Sequence, residues 1–180
     1  CKLKKILVNL EISMNDKIVK NALKIKPNYI CIVPENRKEV TTEGGLNLDK
    51  NQKKLKNIIQ IFKQAKIRTS LFVNPTIRDI KLSKDLNTDC VEIHTGRLSN
   101  LVKSKKNYYT ELNRIKKSSL LAKKLNIEVH AGHGLDYQTT KILSKINEIQ
   151  EFNIGHFIIG ESIFFGLSKV IRNFKKIIKK

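Results

Sequence analysis

Leu55-Lys56-Asn57-Ile58-Ile59-Gln60-Ile61-Phe62-Lys63-Gln64-Ala65-Lys66-Ile67-Arg68-Thr69-Ser70-Leu71-Phe72-Val73 changes its apolar period midway. Leu55, Ile58, Ile59, Phe62 and Ala65 recur at the spacing of one helix face. Thr69 to Val73 is then a short, nearly continuous run of the kind a buried strand requires. The same alternation of short apolar run, polar loop and helical stretch repeats outward from here. Runs at Ile6–Leu10, Tyr29–Val33, Cys90–Ile93, Ile127–Val129 and Ile154–Ile159 bring the expected parallel strands to six. Ile163, Leu167, Val170, Ile171, Phe174 and Ile178 mark a closing amphipathic helix. Repeated βα units build either an open doubly wound sheet or a barrel, and both present ligands at the C-terminal ends of the strands. The dinucleotide fingerprint G-x-G-x-x-G is absent, which weakens a nucleotide-binding sheet.

Length and composition predict one domain over residues 1–180, with 40% apolar residues to bury and no linker to divide them. No apolar stretch approaches the roughly 20 residues of a membrane span, and lysines interrupt Cys1 to Leu10 where a secretory signal needs an apolar core. A cytoplasmic protein with reduced, buried Cys31 and Cys90 is the expectation. The net charge of +20 raises nucleic acid as a partner. Against it, only six of the 36 basic residues are arginine, the lysines are scattered, and no aromatics interleave with them as a stacking platform. Specific nucleic-acid binding is therefore not expected, although weak salt-sensitive association is.

Polar residues gather where the strands should end. Glu11 follows Val8-Asn9-Leu10, and Glu92 interrupts Val91-Glu92-Ile93-His94. A carboxylate within apolar strand residues is costly unless paired or functional, so each either meets a lysine or belongs to a site. His133 stands between Gly132 and Gly134, where backbone can approach a ligand, and His156 follows Gly155. Each histidine taken alone also fits a hydrogen-bonded structural role. Gly155 and Gly160 precede the last amphipathic helix, where backbone N–H groups bind phosphate or simply form a turn. Pro34 to Gly45 reads as a lid or a solvated loop. The sequence has no H-E-x-x-H, no G-x-S-x-G and no internal cysteine beside a histidine. No metal is expected, and acid–base chemistry on a phosphorylated small molecule fits best.

Taken in order, Val8-Asn9-Leu10-Glu11, Val33-Pro34-Glu35, Glu39-Val40-Thr41-Thr42-Glu43-Gly44-Gly45, Glu92-Ile93-His94-Thr95-Gly96, Ala131-Gly132-His133-Gly134-Leu135 and Asn153-Ile154-Gly155-His156 resemble the pyridoxine 5′-phosphate synthase family over essentially the whole chain. The resemblance implies a (β/α)₈ TIM barrel that condenses 3-amino-2-oxopropyl phosphate with 1-deoxy-D-xylulose 5-phosphate. The products would be pyridoxine 5′-phosphate, phosphate and water, with no cofactor. Glu11 matches the family's proton acceptor, His133 its proton donor, and Glu92 the carboxylate that stabilises the transition state. Thr41, Gly134, Gly155 and His156 match substrate- and phosphate-binding positions. Homo-oligomers, commonly octamers, are implied as well.

Family chains open with two further βα units, so the expectation here is an incomplete barrel of strands three to eight, unstable and inactive alone. His130 stands where the family usually has Asn, Glu161 where it has Arg, and Arg97-Leu98-Ser99 replaces a Tyr-Ala pattern. An acid at a phosphate-binding helix start is unfavourable unless it faces outward. Two rivals stand beside this reading. One is another sugar-phosphate barrel enzyme, an isomerase or aldolase; the other is a decayed, inactive fragment that binds polyanions.

Overall fold

A computed structural model describes residues 6–35 and 44–178. Along the chain it contains β1 (Asn9–Ile12), α1 (Asp16–Ile25), β2 (Tyr29–Ile32), α2 (Leu48–Gln64), β3 (Arg68–Val73), α3 (Ile77–Asp85) and β4 (Cys90–His94). There follow α4 (Gly96–Lys103), α5 (Tyr109–Lys124), β5 (Glu128–Gly132), α6 (Tyr137–Leu143), β6 (Ile149–Asn153), α7 (His156–Phe165) and α8 (Leu167–Ile178). The strands form one six-stranded sheet in sequence order, and every neighbouring pair is parallel. Helix starts follow local chemistry: Asn15, Asn47 and Thr76 accept backbone N–H bonds at the starts of α1, α2 and α3, and Asp136 with Thr139 forms a capping box on α6.

The sheet is curled into a half-barrel. Six strands about 4.8 Å apart would separate the two edges by roughly 24 Å if flat. Yet Asn9 on β1 donates to Glu151 on β6 at 3.0 Å. No backbone pairing joins β1 to β6, so among the described residues the six strands form an open half-barrel.

Strand alternation divides the side chains into two sets. Ile12, Ile30, Ile32, Leu71, Val73, Val91, Ile93, Val129 and Ala131 are buried in the main core with Leu55, Ile58, Ile59 and Phe62 of α2 and Ile80 of α3. The other face is polar: Glu11, Tyr29, Arg68, Glu92, Glu128, His130, Glu151 and Asn153 project inside the curl. Strands apolar on both faces, as expected from sequence, are therefore not what forms. The polar inner face also displaces the boundaries. β1 and β5 extend past their apolar runs to include Glu11 and His130.

The sixth strand is corrected outright. It is Ile149–Asn153, whereas the run Ile154–Ile159 enters α7 at His156. Gly160 consequently lies inside α7 rather than ahead of a helix, and Glu161 is well past the helix start. Tyr137, Phe157 and Phe174 anchor α7 to α6 and α8, with ring centroids 4.6 to 5.9 Å apart. None of the α7 side chains is buried.

Candidate active site

A cleft of about 930 Å³ opens at the C-terminal ends of the strands, and its lining runs from Asn9 and Glu11 on β1 to Asn153 on β6. Glu92, His133, Gly134, Gly155 and His156 line it with Glu11. Six of the seven residues singled out from sequence thus share one cavity. Thr41, the seventh, lies outside the described residues, as does most of the expected lid.

Glu92 is only 3% exposed. Asn153 Nδ2 donates to its Oε2 at 2.6 Å, and the Cys31 thiol donates to the same oxygen at 3.4 Å. Burial pushes the Glu92 carboxyl up to about 7. The Asn153 bond opposes that shift, and the Glu11 charge adds to it. Burial, followed by the Glu92 charge, raises Cys31 well above the usual thiol range, so it remains a donor. Gly132 is what admits Glu92, because a Cβ at that position would collide with Glu92 Oε1.

His133 occupies left-handed backbone, φ +77°, a conformation that costs an L-residue about 1–2 kcal/mol. Buried Thr95 holds that turn: its N–H donates to Gly132 O at 2.9 Å, and its hydroxyl donates to Gly132 O at 2.7 Å and His133 O at 2.8 Å. The His133 ring stacks on His94, and Phe72 meets His94 edge-on at 5.2 Å. Gly96 lies under both imidazoles, with space for no side chain. His94, Asn153 and Lys103 also line the cleft, and sequence reasoning did not select them. Two-residue spacing on β4 is the signal that would have placed His94 beside Glu92 on the inner face. Lys103 closes α4 and is the one lysine among the described lining residues.

A strand-end cleft of buried carboxylate, exposed carboxylate and paired imidazoles suits acid–base chemistry. The sequence model for "Pyridoxal phosphate biosynthesis protein PdxJ" matches residues 1–180. The chain belongs to the PdxJ family. It is 64% identical over 180 residues to the pyridoxine 5′-phosphate synthase of Pelagibacter ubique, covering 100% of this chain and 75% of that one. Identity to the synthase of Prochlorococcus marinus strain MIT 9312 is 41% over 174 residues, covering 97% and 72%. This PdxJ chain is accordingly an enzyme of vitamin B6 biosynthesis.

Among solved structures, the citrate synthase SbnG aligns with a TM-score of 0.55 at 12% identity, over 94% of this chain and 72% of its own. A xylose isomerase domain protein from Planctomyces limnophilus aligns with a TM-score of 0.55 at 11% identity, over 97% and 72%. These likenesses bear on the barrel-like fold alone. Among the described residues, no helix is long and apolar enough to cross a membrane.

Proposed function

We propose that this cleft condenses 3-amino-2-oxopropyl phosphate with 1-deoxy-D-xylulose 5-phosphate in the cytoplasm, yielding pyridoxine 5′-phosphate, phosphate and water. The observation that carries the reading is a carboxyl raised to about 7, Glu92, in one cleft with Glu11 and His133. Schiff-base formation, dehydration, phosphate loss and ring closure each move protons, so the reaction needs groups able to give and take them near neutrality. Glu11 accepts a proton, His133 donates one, and Glu92 stabilises the charge that develops between them. Thr41, Gly134, Gly155 and His156 bind the substrates and their phosphates, and Lys103 supplies a cation at the same cleft.

Formation of pyridoxine 5′-phosphate from the two substrates tests this directly. His133→Ala and Glu11→Gln are each expected to abolish it while leaving the circular dichroism spectrum unchanged. Near-normal turnover in both would remove the role assignment, and a folded wild-type protein that makes no product would remove the reaction. A homo-oligomer, up to an octamer, belongs to the same proposal. Its support is the exposure of Ile163 (78%) and Phe164 (81%) on α7, apolar surface that association would cover. Light scattering on the wild type and on Phe164→Glu reads it, with a smaller assembly expected for the variant.

A further inference from the structure

One inward-facing layer below the cleft, two residues earlier on β4 and β5, lies a second cluster. Cys90 Sγ, a Glu128 carboxylate oxygen and a His130 ring nitrogen lie within 4.8 Å of one another. Cys90 and His130 are fully buried. We propose that these three residues bind a divalent transition-metal ion of the zinc class, clamping β4 to β5 at a site distinct from the catalytic cleft.

Tetrahedral zinc, with bonds of about 2.0–2.3 Å, places ligand atoms roughly 3.3–3.6 Å apart, so three donors already within 4.8 Å of one another need only side-chain adjustment, and a water would take the fourth position. His130 Nε2 and Glu128 Oε1 are 2.9 Å apart, so a small outward shift seats an ion between them. Cys90 and Glu128 are register partners across the two strands, which places the thiol beside the carboxylate without any loop movement. Thiolate, imidazole and carboxylate together favour zinc over the harder magnesium or calcium.

An independent observation concerns the other side of the imidazole. His130 Nδ1 is buried without a hydrogen-bond partner, and Glu151 Oε1 stands 3.7 Å from it. A buried nitrogen left so is costly. With Nε2 on a metal, Nδ1 carries the proton and closes on Glu151, the carboxylate–histidine–metal arrangement that orients ligating histidines. Arg68 completes the surround. Its Nη2 holds Glu128 Oε2 at 2.7 Å, leaving Oε1 for the ion. A dication and Arg68 would balance the thiolate and the two carboxylates. The Cys90 thiol, which burial pushes up to about 12, gives its proton to solvent as the sulfur–metal bond forms. Because the donors come from two strands, no ligand-spaced motif announces them.

Cobalt(II) titration of the purified full chain tests the proposal. One equivalent should bind with a near-ultraviolet thiolate-to-cobalt charge-transfer band, zinc should displace it, and zinc should raise the melting temperature. Cys90→Ser and His130→Asn should each lose the band, whereas Cys1→Ser should keep it. His130→Asn keeps a smaller polar side chain at the buried position, and circular dichroism checks that its fold persists. A folded wild-type chain without the band overturns the site. So does a band that survives both substitutions.

Discussion

The imidazoles of His94 and His133 lie stacked, with centroids 4.7 Å apart and planes 24° from parallel, although one ends β4 and the other follows β5. Parallel neighbouring strands bring their C-terminal ends together, and the left-handed turn at His133 lays its ring over His94. His94 is therefore a positioning residue for the proposed proton donor. A reacting group misplaced by about 1 Å loses on the order of a hundredfold in rate. His94→Ala should lower kcat roughly ten- to hundredfold with little change in KM. His94→Phe, which keeps an aromatic face against His133, should retain more activity than His94→Ala. Equal loss in the two variants would remove the stacking argument.

Gly96 bears on the same pair. A Cβ there would lie 2.7 Å from His133 Cδ2 and 2.8 Å from His94 Cε1, whereas one at Gly155 meets nothing within 4 Å. Overpacking of this kind costs about 1–3 kcal/mol. Gly96→Ala should lower the urea midpoint by a corresponding amount, and Gly155→Ala should leave it nearly unchanged. A neutral Gly96→Ala would mean that the two rings yield without loss.

The βα alternation was legible because the outward strand residues and the helix stripes are apolar wherever they meet, as at Leu71 and Phe62. What apolar runs could not convey is the inner face. Glu151 and Asn153 make β6 look like loop, while Ile154 to Ile159, apolar apart from Gly155 and His156, fits a strand or a helix equally. Packing of Phe157 against Tyr137 and Phe174 selects the helix. Glu11, Glu92 and His133 were recognisable as polar interruptions at strand ends. Asn153 and His94 were not, because their part in the site is contact with Glu92 and His133 across strands, which no local pattern records.

Glu92 also couples stability to pH. Its folded carboxyl titrates near 7, above the unfolded value of 4.5, so the folded state holds its proton more tightly. The stability it contributes is fully present below about pH 4.5 and is lost as pH rises through about 7. A shift of that size corresponds to on the order of 3 kcal/mol. Glu92→Gln should therefore gain stability relative to wild type as pH climbs from about 5 to about 8. Asn153→Ala removes the bond that holds the carboxyl down and should move the wild-type transition to higher pH. Parallel melting curves for wild type and Glu92→Gln across that range would show that Glu92 is not the coupled group.

Four helix ends carry a further, removable strain. After α2 the Lys66 N–H donates to Lys63 O and the Ile67 N–H to Phe62 O, a Schellman closure that sets Lys66 at φ +59°. The same closure sets Asn87 at +61°, Lys105 at +52° and Asn126 at +57°. Left-handed backbone costs an ordinary L-residue about 1–2 kcal/mol; asparagine tolerates it better, and glycine incurs no such penalty. Glycine's greater freedom in the unfolded chain offsets part of the gain. Lys66→Gly and Lys105→Gly should each stabilise the protein by a few tenths to about 1 kcal/mol, and Asn87→Gly and Asn126→Gly by less. Lys66→Gln separates strain from charge, since it lowers the net charge of +20 equally but keeps the Cβ. Should Lys66→Gln raise the urea midpoint as much as Lys66→Gly does, relief of charge repulsion rather than backbone strain would be the cause.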